Sequence, residues 1–242
     1  MDKRMIDFSP APASLPANQR VYAIGDVHGC LDRLASIHEA VAEDLGTRPI
    51  QQPILVHLGD YIDRGPESAQ VVEWLVAGAP VPGARVINLM GNHELMMLSA
   101  ITSGRGQDAD LWLSNGGSDS LYSWGVPRKT PQMDWASYIP VPHLLFLRDL
   151  ATHFQAGQYY FVHAGIRPGL PLAQQTKQDM LWIREPFLSS TIDHGVVVVH
   201  GHTPRLEPLV RPNRIAIDTG AVLGGALTCL VLEKDQLGFM RA

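Results

Sequence analysis

Short apolar runs recur through the first hundred residues and predict the buried strands of a sheet. The runs are Arg20–Ile24, Ile54–Leu58 and Arg85–Leu89, and each opens onto a polar cluster followed by a helical pattern. Strands that alternate with helices over short connections are typical of an α/β domain. The first half of the chain is therefore predicted to fold in this way.

Helical periodicity marks the segments between those strands. Apolar residues in Leu31–Leu45 recur at the spacing of an amphipathic helix. Pro66 stands in the first turn of a second predicted helix, where its fixed backbone angle is tolerated. Glu94–Ile101 continues helically from the third polar cluster.

The pattern changes at residue 104. Gly104–Pro142 is rich in Gly, Ser, Asp and Pro, and it predicts a short helix at Asp108–Leu113 among irregular loops. Long loops often carry specificity, so we expect 104–142 to be an insertion over the active site. Its aromatic residues either contact substrate or pack the insertion onto the body: Trp112, Tyr122, Trp124, Trp135 and Tyr138.

Strand patterns dominate the rest of the chain. Gly220, Gly224 and Gly225 predict that the last two strands form a hairpin. A strand-rich second half behind an α/β first half predicts an α/β fold whose central β-sandwich of two mixed sheets is flanked by helices. The later strands are predicted at Tyr159–Val162, Val196–Val199, Arg214–Ile217 and Ala226–Glu233.

Composition fits one globular domain. The chain has 242 residues, of which 45% are apolar and 18% charged, and this length allows a substantial core. We expect a single domain over residues 20–242. The charged and proline-containing residues 1–19 are expected to form a flexible N-terminal arm.

Charge and apolar length disfavour several kinds of partner. The net charge is −5 and no run of Lys and Arg occurs, so a nucleic-acid partner is not expected. Residues 1–19 lack the apolar core of a signal peptide, and no apolar stretch is long enough to span a membrane. Cys30 and Cys229 do not suggest a disulfide framework. We therefore expect a cytoplasmic protein.

Three polar clusters supply the candidate chemistry. They are Gly-Asp-Val-His at 25–28, Gly-Asp-Tyr-Ile-Asp-Arg at 59–64 and Gly-Asn-His at 91–93. Each follows a predicted strand, and loops at the carboxyl ends of neighbouring strands converge in one crevice. Carboxylate, amide and imidazole groups together suit first-row divalent cations. A metal site is therefore predicted at this crevice.

Two later histidines complete the set, because His163 and His202 each follow a predicted strand. We expect Asp60 to bridge two cations. A dinuclear site of this kind clamps a phosphoryl group and holds a bridging hydroxide, which attacks phosphorus in line with the leaving oxygen. The assignment is Asp26, His28 and Asp60 on one metal, and Asp60, Asn92, His163 and His202 on the other.

The reaction also needs a proton donor and positive charge around the phosphate. His93 is the candidate general acid, with Asp63 orienting it. Arg64 offers a planar fork for two phosphate oxygens, and Arg184 is a second candidate clamp. Among the other histidines, His57 lies inside a strand and is expected to be a hydrogen-bonded core residue.

These motifs resemble those of the metal-dependent phosphoprotein phosphatase family, which are serine/threonine phosphatases of the calcineurin-like metallophosphoesterase superfamily. The resemblance lies in Gly-Asp-x-His-Gly, Gly-Asp-x-x-Asp-Arg-Gly and Gly-Asn-His-Glu, in that order, and points to short bacterial and bacteriophage members. Further likeness at Trp112–Gly117, Trp182–Glu185 and Ile217–Ala221 extends it over residues 20–233.

The resemblance implies a β-sandwich flanked by helices, a dinuclear centre often loaded with manganese, and direct hydrolysis without a phosphoenzyme. Iron, zinc or cobalt would also suit such ligands. By match of motif it gives Asp26, His28, Asp60, Asn92, His163 and His202 as ligands, His93 with Asp63 as the acid pair, and Arg64 and Arg184 as phosphate contacts.

Three functions remain open from the sequence. The first is hydrolysis of phosphoserine and phosphothreonine in proteins, which Glu94 after Gly-Asn-His favours within the resemblance. The second is hydrolysis of a dinucleoside polyphosphate such as diadenosine tetraphosphate, with aromatic residues of the insertion stacked on a base. This chain has His163-Ala164-Gly165 where the large eukaryotic members of the resembled family have His-Gly-Gly, a departure that the resemblance places among bacterial relatives, including diadenosine tetraphosphate hydrolases. The third is a binding or scaffold protein without turnover.

Overall fold

Eleven β-strands form two mixed sheets within residues 6–242, the part of the chain that the computed structural model describes. The strands are β1 (Ser9–Pro10), β2 (Gln19–Ile24), β3 (Gln52–His57), β4 (Arg85–Asn88), β5 (His153–Ala156), β6 (Tyr159–Val162), β7 (Val197–His200), β8 (Leu209–Arg211), β9 (Arg214–Ala216), β10 (Thr228–Glu233) and β11 (Gln236–Arg241). The larger sheet has the order β1-β11-β10-β2-β3-β4, and the smaller has the order β5-β6-β7-β9-β8.

Helices cover the outer faces of the sheets. They are α1 (Leu31–Thr47), α2 (Ser68–Val76), α3 (Asn92–Ser103), α4 (Gly106–Trp112), α5 (Ser118–Ser123), α6 (Val141–Arg148) and α7 (Lys177–Trp182). In the described residues, none of them combines the length and the apolar character that a bilayer crossing requires. The arrangement confirms the predicted α/β fold with a central sandwich of two mixed sheets flanked by helices.

The sandwich interior explains the continuous apolar runs. In β2, Val21 belongs to the same buried cluster as Phe161 of the other sheet. The alternate residues Tyr22 and Ile24 belong to the cluster that includes α1 and α2. Because both faces of these strands are buried, their sequences do not alternate between apolar and polar residues.

The parallel strands position the polar clusters. Strands β2, β3 and β4 run parallel to one another, as do β6, β7 and β9, whereas the other paired strands are antiparallel. The polar clusters follow the carboxyl ends of these parallel strands. Side chains from both sheets therefore meet at one edge of the sandwich.

The predicted hairpin at the C-terminal glycines is wrong. β9 and β10, the strands on either side of those glycines, lie in different sheets. Gly220 and Gly224 have φ angles of 66° and 92°, which let the chain turn tightly as it crosses between the sheets. The hairpin at this end of the chain instead joins β10 to β11.

Residues 104–142 contain more helix than their composition suggests. They include α4, α5 and the start of α6, with a kink in Leu113–Gly117 where Gly116 has a φ of 98° and a 3-10 helix at Gln132–Tyr138. Trp112, Trp124 and Trp135 are buried. Short helices gain most of their stability from such packing, which a sequence-local pattern does not reveal.

The N-terminal segment differs from the expected flexible arm where it is described. Residues 1–5 lie outside the described residues. Ser9 and Pro10 pair with Leu237 and Gln236 of β11, and Leu15 is buried. Pairing and burial of apolar surface attach this segment to the sandwich.

A directed chain of hydrogen bonds joins α1 and α2 to the ends of β3 and β4. Trp74 Nε1 donates to His38 Nδ1 at 2.9 Å, so the ring proton of His38 lies on Nε2. That nitrogen donates to His57 Nε2 at 2.9 Å, and His57 Nδ1 donates to Asn88 Oδ1 at 2.7 Å. His57 is thus a hydrogen-bonded core residue, as predicted.

These buried imidazoles make stability depend on pH. Burial lowers the pKa of His57 to about 3, below the unfolded value of about 6.5. The unfolded chain therefore binds the proton between these values, and stability that is present above about pH 6.5 is lost as the pH falls. We expect His57→Gln to reduce the slope of unfolding free energy against pH by about 1 kcal/mol per unit below that point.

Urea unfolding at several pH values in the presence of EDTA measures this slope. Replacement of the exposed His153 by Gln is the control and should retain the wild-type slope. The same slope in wild type and His57→Gln would contradict the account of the buried chain.

Candidate active site

A cavity of about 500 Å³ lies at the edge where the polar clusters meet. Six of the ten predicted site residues line it: Asp60, Arg64, Asn92, His93, Arg184 and His202. The other four are buried and contact residues of the lining: Asp26, His28, Asp63 and His163. The structure therefore brings all ten together.

Imidazole rings approach both oxygens of the Asp60 carboxylate. Its Oδ2 is 3.5 Å from His28 Nε2, and its Oδ1 is 3.4 Å from His163 Nε2. His28 Nδ1 donates to the Ile62 carbonyl at 2.7 Å, and His163 Nδ1 donates to the Leu58 carbonyl at 3.0 Å. These backbone contacts set each ring so that Nε2 is the nitrogen directed to the centre.

Asn92 joins the two later histidines. Its Oδ1 is 2.9 Å from His163 Nε2 and 2.9 Å from His202 Nδ1. The backbone N–H of His202 donates to Asp26 Oδ2 at 3.0 Å, so the loop after β7 is also held to the loop after β2. His200, by contrast, faces Arg214 and packs against Phe187, outside this cluster.

The donor set fits divalent cations. Ligand atoms of His28, Asp60 and His93 lie within 4.8 Å of one another, and so do those of Asp60, His163 and His202. Acceptor atoms gathered this closely repel one another unless a proton or a cation lies among them. Imidazole nitrogen and carboxylate or amide oxygen suit first-row divalent ions.

Burial and mutual charge set the protonation of the carboxylates. Burial raises the pKa of Asp26 well above its usual range, and the charge of Asp218 adds to this rise. Burial opposes ionisation of Asp60 as well, but the imidazoles of His163 and His93 hold its pKa well below the usual range. The Asp60 carboxylate is thus the ionised centre of the cluster.

The histidines divide into two groups. Burial lowers the pKa of His28 and that of His202 to about 3, which keeps both rings neutral, as metal ligation requires. Burial acts on His163 in the same direction, but the charge of Asp60 outweighs it and raises the pKa of His163 to about 10. Local negative charge therefore exceeds what the neutral rings can balance, which favours a cation.

His93 and Asp63 form a buried pair. His93 Nδ1 lies 2.7 Å from Asp63 Oδ2, and Asp63 is fully buried. Burial lowers the pKa of His93, but the charges of Asp60 and Asp63 outweigh it and raise the pKa above its ordinary value. The Nε2 side of the ring faces the cavity, 3.9 Å from Asp60 Oδ2.

The two arginines lie at the cavity with exposed side chains. Arg64 Nη1 donates to His28 Nε2 at 2.9 Å. A neutral imidazole has one free lone pair, so Arg64 and a cation compete for that nitrogen. Arg184 stands at the rim and its charge contributes to the lowered pKa of His202.

Backbone conformation at the site is unusual. Five predicted site residues have φ in the left-handed region, from 44° to 73°: His28, Asp60, Asp63, Arg64 and His202. Such conformations cost non-glycine residues roughly 1–3 kcal/mol each and persist where the surrounding structure holds them. Gly91 and Gly201 give the clusters room, because an added Cβ would overlap Asp60 Oδ1 or Asp26 Oδ1.

Two buried acids at the site had no predicted role. Glu94 accepts the backbone N–H groups of Asp60 at 2.9 Å, Tyr61 at 2.8 Å and Gly91 at 2.8 Å. Asp218 follows β9 and accepts the N–H of Gly220 at 3.0 Å. The position of Asp218 after a strand was an available signal, whereas the backbone contacts of Glu94 depend on tertiary structure.

Comparison with known proteins supports a hydrolase family. Residues 19–225 match the family model described as calcineurin-like phosphoesterase. Serine/threonine-protein phosphatase 1 of Salmonella typhimurium is 31% identical to this chain, over 87% of the chain and 90% of the relative. The symmetrical bis(5'-nucleosyl)-tetraphosphatase of Dechloromonas aromatica is 28% identical, over 89% and 94%.

Solved structures show the same fold. A cold-active protein tyrosine phosphatase superposes with a TM-score of 0.66, at 20% identity, over 96% of this chain and 81% of its own. At this level of identity the likeness concerns the fold.

The hydrogen bonds that Glu94 accepts predict that substitution of this residue lowers both the stability of the fold and the affinity for metal. Glu94→Gln replaces one acceptor oxygen by an NH2 group, which then faces a backbone N–H in a buried setting. We expect a loss of about 1–3 kcal/mol in unfolding free energy, together with weaker metal binding. Chemical denaturation and metal analysis by mass spectrometry measure both, with the exposed Glu43→Gln as control. Wild-type values for Glu94→Gln would contradict this role.

Proposed function

The chain belongs to the calcineurin-like phosphoesterase family, and we propose that it hydrolyses phosphoserine and phosphothreonine monoesters in proteins. Phosphoester hydrolysis follows from the family, and the protein substrate is the proposal. One observation carries it: the buried His93–Asp63 pair adjoins a cavity lined by two arginines and three of the six candidate metal donors, and a proton donor there suits a poor alkoxide leaving group such as that of serine or threonine.

The proposed metal site uses six side chains. Asp26, His28 and Asp60 would hold one divalent cation, and Asp60 with Asn92, His163 and His202 would hold a second. When bound, such cations supply Lewis acidity that activates water and offsets phosphate charge. We propose manganese as the resident metal, although iron, zinc and cobalt accept the same donors.

His93 is the proposed general acid. Its Nδ1–H is held by Asp63 at 2.7 Å, so Nε2 is the ring nitrogen directed to the cavity. A proton on that nitrogen passes to the oxygen that leaves phosphorus, while Asp63 stabilises the ring orientation. This transfer matters most for an alkoxide leaving group such as that of serine or threonine.

Arg64 and Arg184 are the proposed phosphate contacts. Both line the cavity from different segments of the chain. A guanidinium group donates two parallel hydrogen bonds to phosphate oxygens, which orients the group and offsets its charge. The exposed position of both arginines allows them to meet a substrate that arrives from solvent.

The burial of the insertion's tryptophans bears on the choice of substrate. Base stacking by this segment requires exposed aromatic faces, but Trp112, Trp124 and Trp135 are buried. Tyr122 and Tyr138 are exposed and do not line the main cavity. The main support that the sequence offered for a dinucleotide substrate is therefore weakened.

A dinucleoside polyphosphate remains the second candidate because of a neighbouring cavity. This cavity of about 340 Å³ shares Trp182 and Gln178 with the main one. Its apolar lining includes Met96 and Leu111, which would accept either a flat base or an apolar side chain of a peptide. The tetraphosphatase relatives make the nucleotide worth testing.

The deciding experiment compares two substrates under one condition. Manganese-loaded protein is incubated with a phosphothreonine peptide or with diadenosine tetraphosphate, and phosphate release and nucleotide products are measured. We expect the peptide to be dephosphorylated with much the higher kcat/KM. Preferential cleavage of the dinucleotide would overturn the protein-substrate proposal, and turnover of neither would overturn both.

The assigned roles predict different outcomes at two neighbouring positions. His93→Ala should slow turnover by about 10²–10⁴-fold, the range for a positioned general acid, with its metal content retained. Asp60→Asn should lose metal, because it removes the charge shared between the two proposed cations. Steady-state kinetics and metal analysis separate these effects, with the exposed His153→Ala as control. Loss of metal in His93→Ala would show that its role is misassigned.

A further inference from the structure

Beyond the assigned acid pair, the segment 104–142 reaches the buried side of Asp63. We propose that Trp112 and Ser120 are positioning residues that orient Asp63, and through it His93, for proton transfer. The inference rests on the proposed function of His93. It gives the insertion a part in the chemistry rather than in substrate recognition.

Both oxygens of the Asp63 carboxylate are engaged from the insertion. Trp112 Nε1 lies 3.0 Å from Oδ1 and 2.9 Å from Oδ2. Ser120 Oγ donates to Oδ1 at 2.6 Å and accepts the backbone N–H of Asp63 at 2.8 Å. With His93 Nδ1 at 2.7 Å from Oδ2, the carboxylate cannot rotate without breaking a charge-assisted hydrogen bond.

Trp112 is itself fixed in place. Its side chain is fully buried, so it does not touch substrate. Gly117 packs on the indole so closely that an added Cβ would overlap the ring. The ring also meets Trp135 edge-on, with centroids 5.8 Å apart. A donor held this rigidly sets the direction of the Asp63 carboxylate.

A kinked turn after Trp112 links the same segment to Arg64, the proposed phosphate contact. Leu113–Gly117 follows Trp112 directly, and its Gly116 carbonyl accepts the backbone N–H of Arg64 at 3.3 Å. The segment therefore contacts both Asp63 and the neighbouring Arg64.

Trp112→Phe tests the proposal, since it removes the N–H donor and keeps an aromatic ring. The matched control is Trp124→Phe, because the indole of Trp124 is also buried in the insertion but donates to His143 Nδ1 at 3.1 Å. We expect Trp112→Phe to lower kcat roughly 10- to 100-fold, part of what a general acid supplies, with KM nearly unchanged. Trp124→Phe should retain kcat.

The dependence of the hydrolysis rate on the leaving group distinguishes a loss of positioning from a disturbed fold or metal site. Phenyl phosphate needs a proton on its departing oxygen, whereas 2,4-dinitrophenyl phosphate releases a stable anion. Trp112→Phe and His93→Ala should both slow hydrolysis of phenyl phosphate far more than hydrolysis of 2,4-dinitrophenyl phosphate. An equal loss on both substrates in Trp112→Phe would overturn the proposal, because it would indicate a disturbed fold or metal site.

A double variant provides the second test. If Trp112 acts through His93, Trp112→Phe combined with His93→Ala should be no slower on phenyl phosphate than His93→Ala alone. Multiplicative losses would overturn the proposal. Ser120→Ala is a smaller change and should show the same dependence on the leaving group. It replaces Trp112→Phe in these tests if Trp112→Phe does not fold.

The positioning role and the proposed function can fail separately, and kinetic measurements distinguish the two cases. If the wild-type protein turns over and Trp112→Phe has the same kcat as Trp124→Phe, the positioning role alone is overturned. Absence of wild-type turnover on every phosphate ester would overturn the proposed function, and the positioning role with it.

Discussion

Burial of the Asp60 carboxylate is the constraint on which the site depends. A buried charge is costly unless partners and hydrogen bonds balance it. Asp60 lies among the imidazoles of His28, His93 and His163, and three neighbouring backbone N–H groups are taken up by Glu94. The same arrangement directs carboxylate oxygens and imidazole nitrogens to one centre, where a cation could replace the protons that now balance the charge.

The site exists only when the two sheets pack together. Asp60 and Asn92 follow strands of the larger sheet, whereas His163 and His202 follow strands of the smaller. Burial of the apolar sandwich interior therefore brings the donors within reach of one another. Part of the stability gained there offsets the strained backbone angles of the loops.

Sequence predicted which polar side chains meet at the sandwich edge, because a metal site of the proposed kind requires residues of particular types. The clusters around Asp26, Asp60 and Asn92 follow apolar strands. The apolar run and the polar cluster after it can each be recognised from a few consecutive residues. The pairing of strands was harder to predict, since β9 and β10 are neighbours in sequence but lie in different sheets. The contact of Trp112 with Asp63 joins residues 49 positions apart, and no local pattern encodes it. A composition rich in Gly and Ser instead suggested loops.

The central claim is that two divalent cations share Asp60 at the sandwich edge. Crystals grown with manganese, with anomalous diffraction recorded above the manganese edge, test it most directly. The account predicts two anomalous peaks on either side of the Asp60 carboxylate, one beside His28 and Asp26 and the other beside Asn92, His163 and His202. A single peak, or peaks away from Asp60, would contradict it.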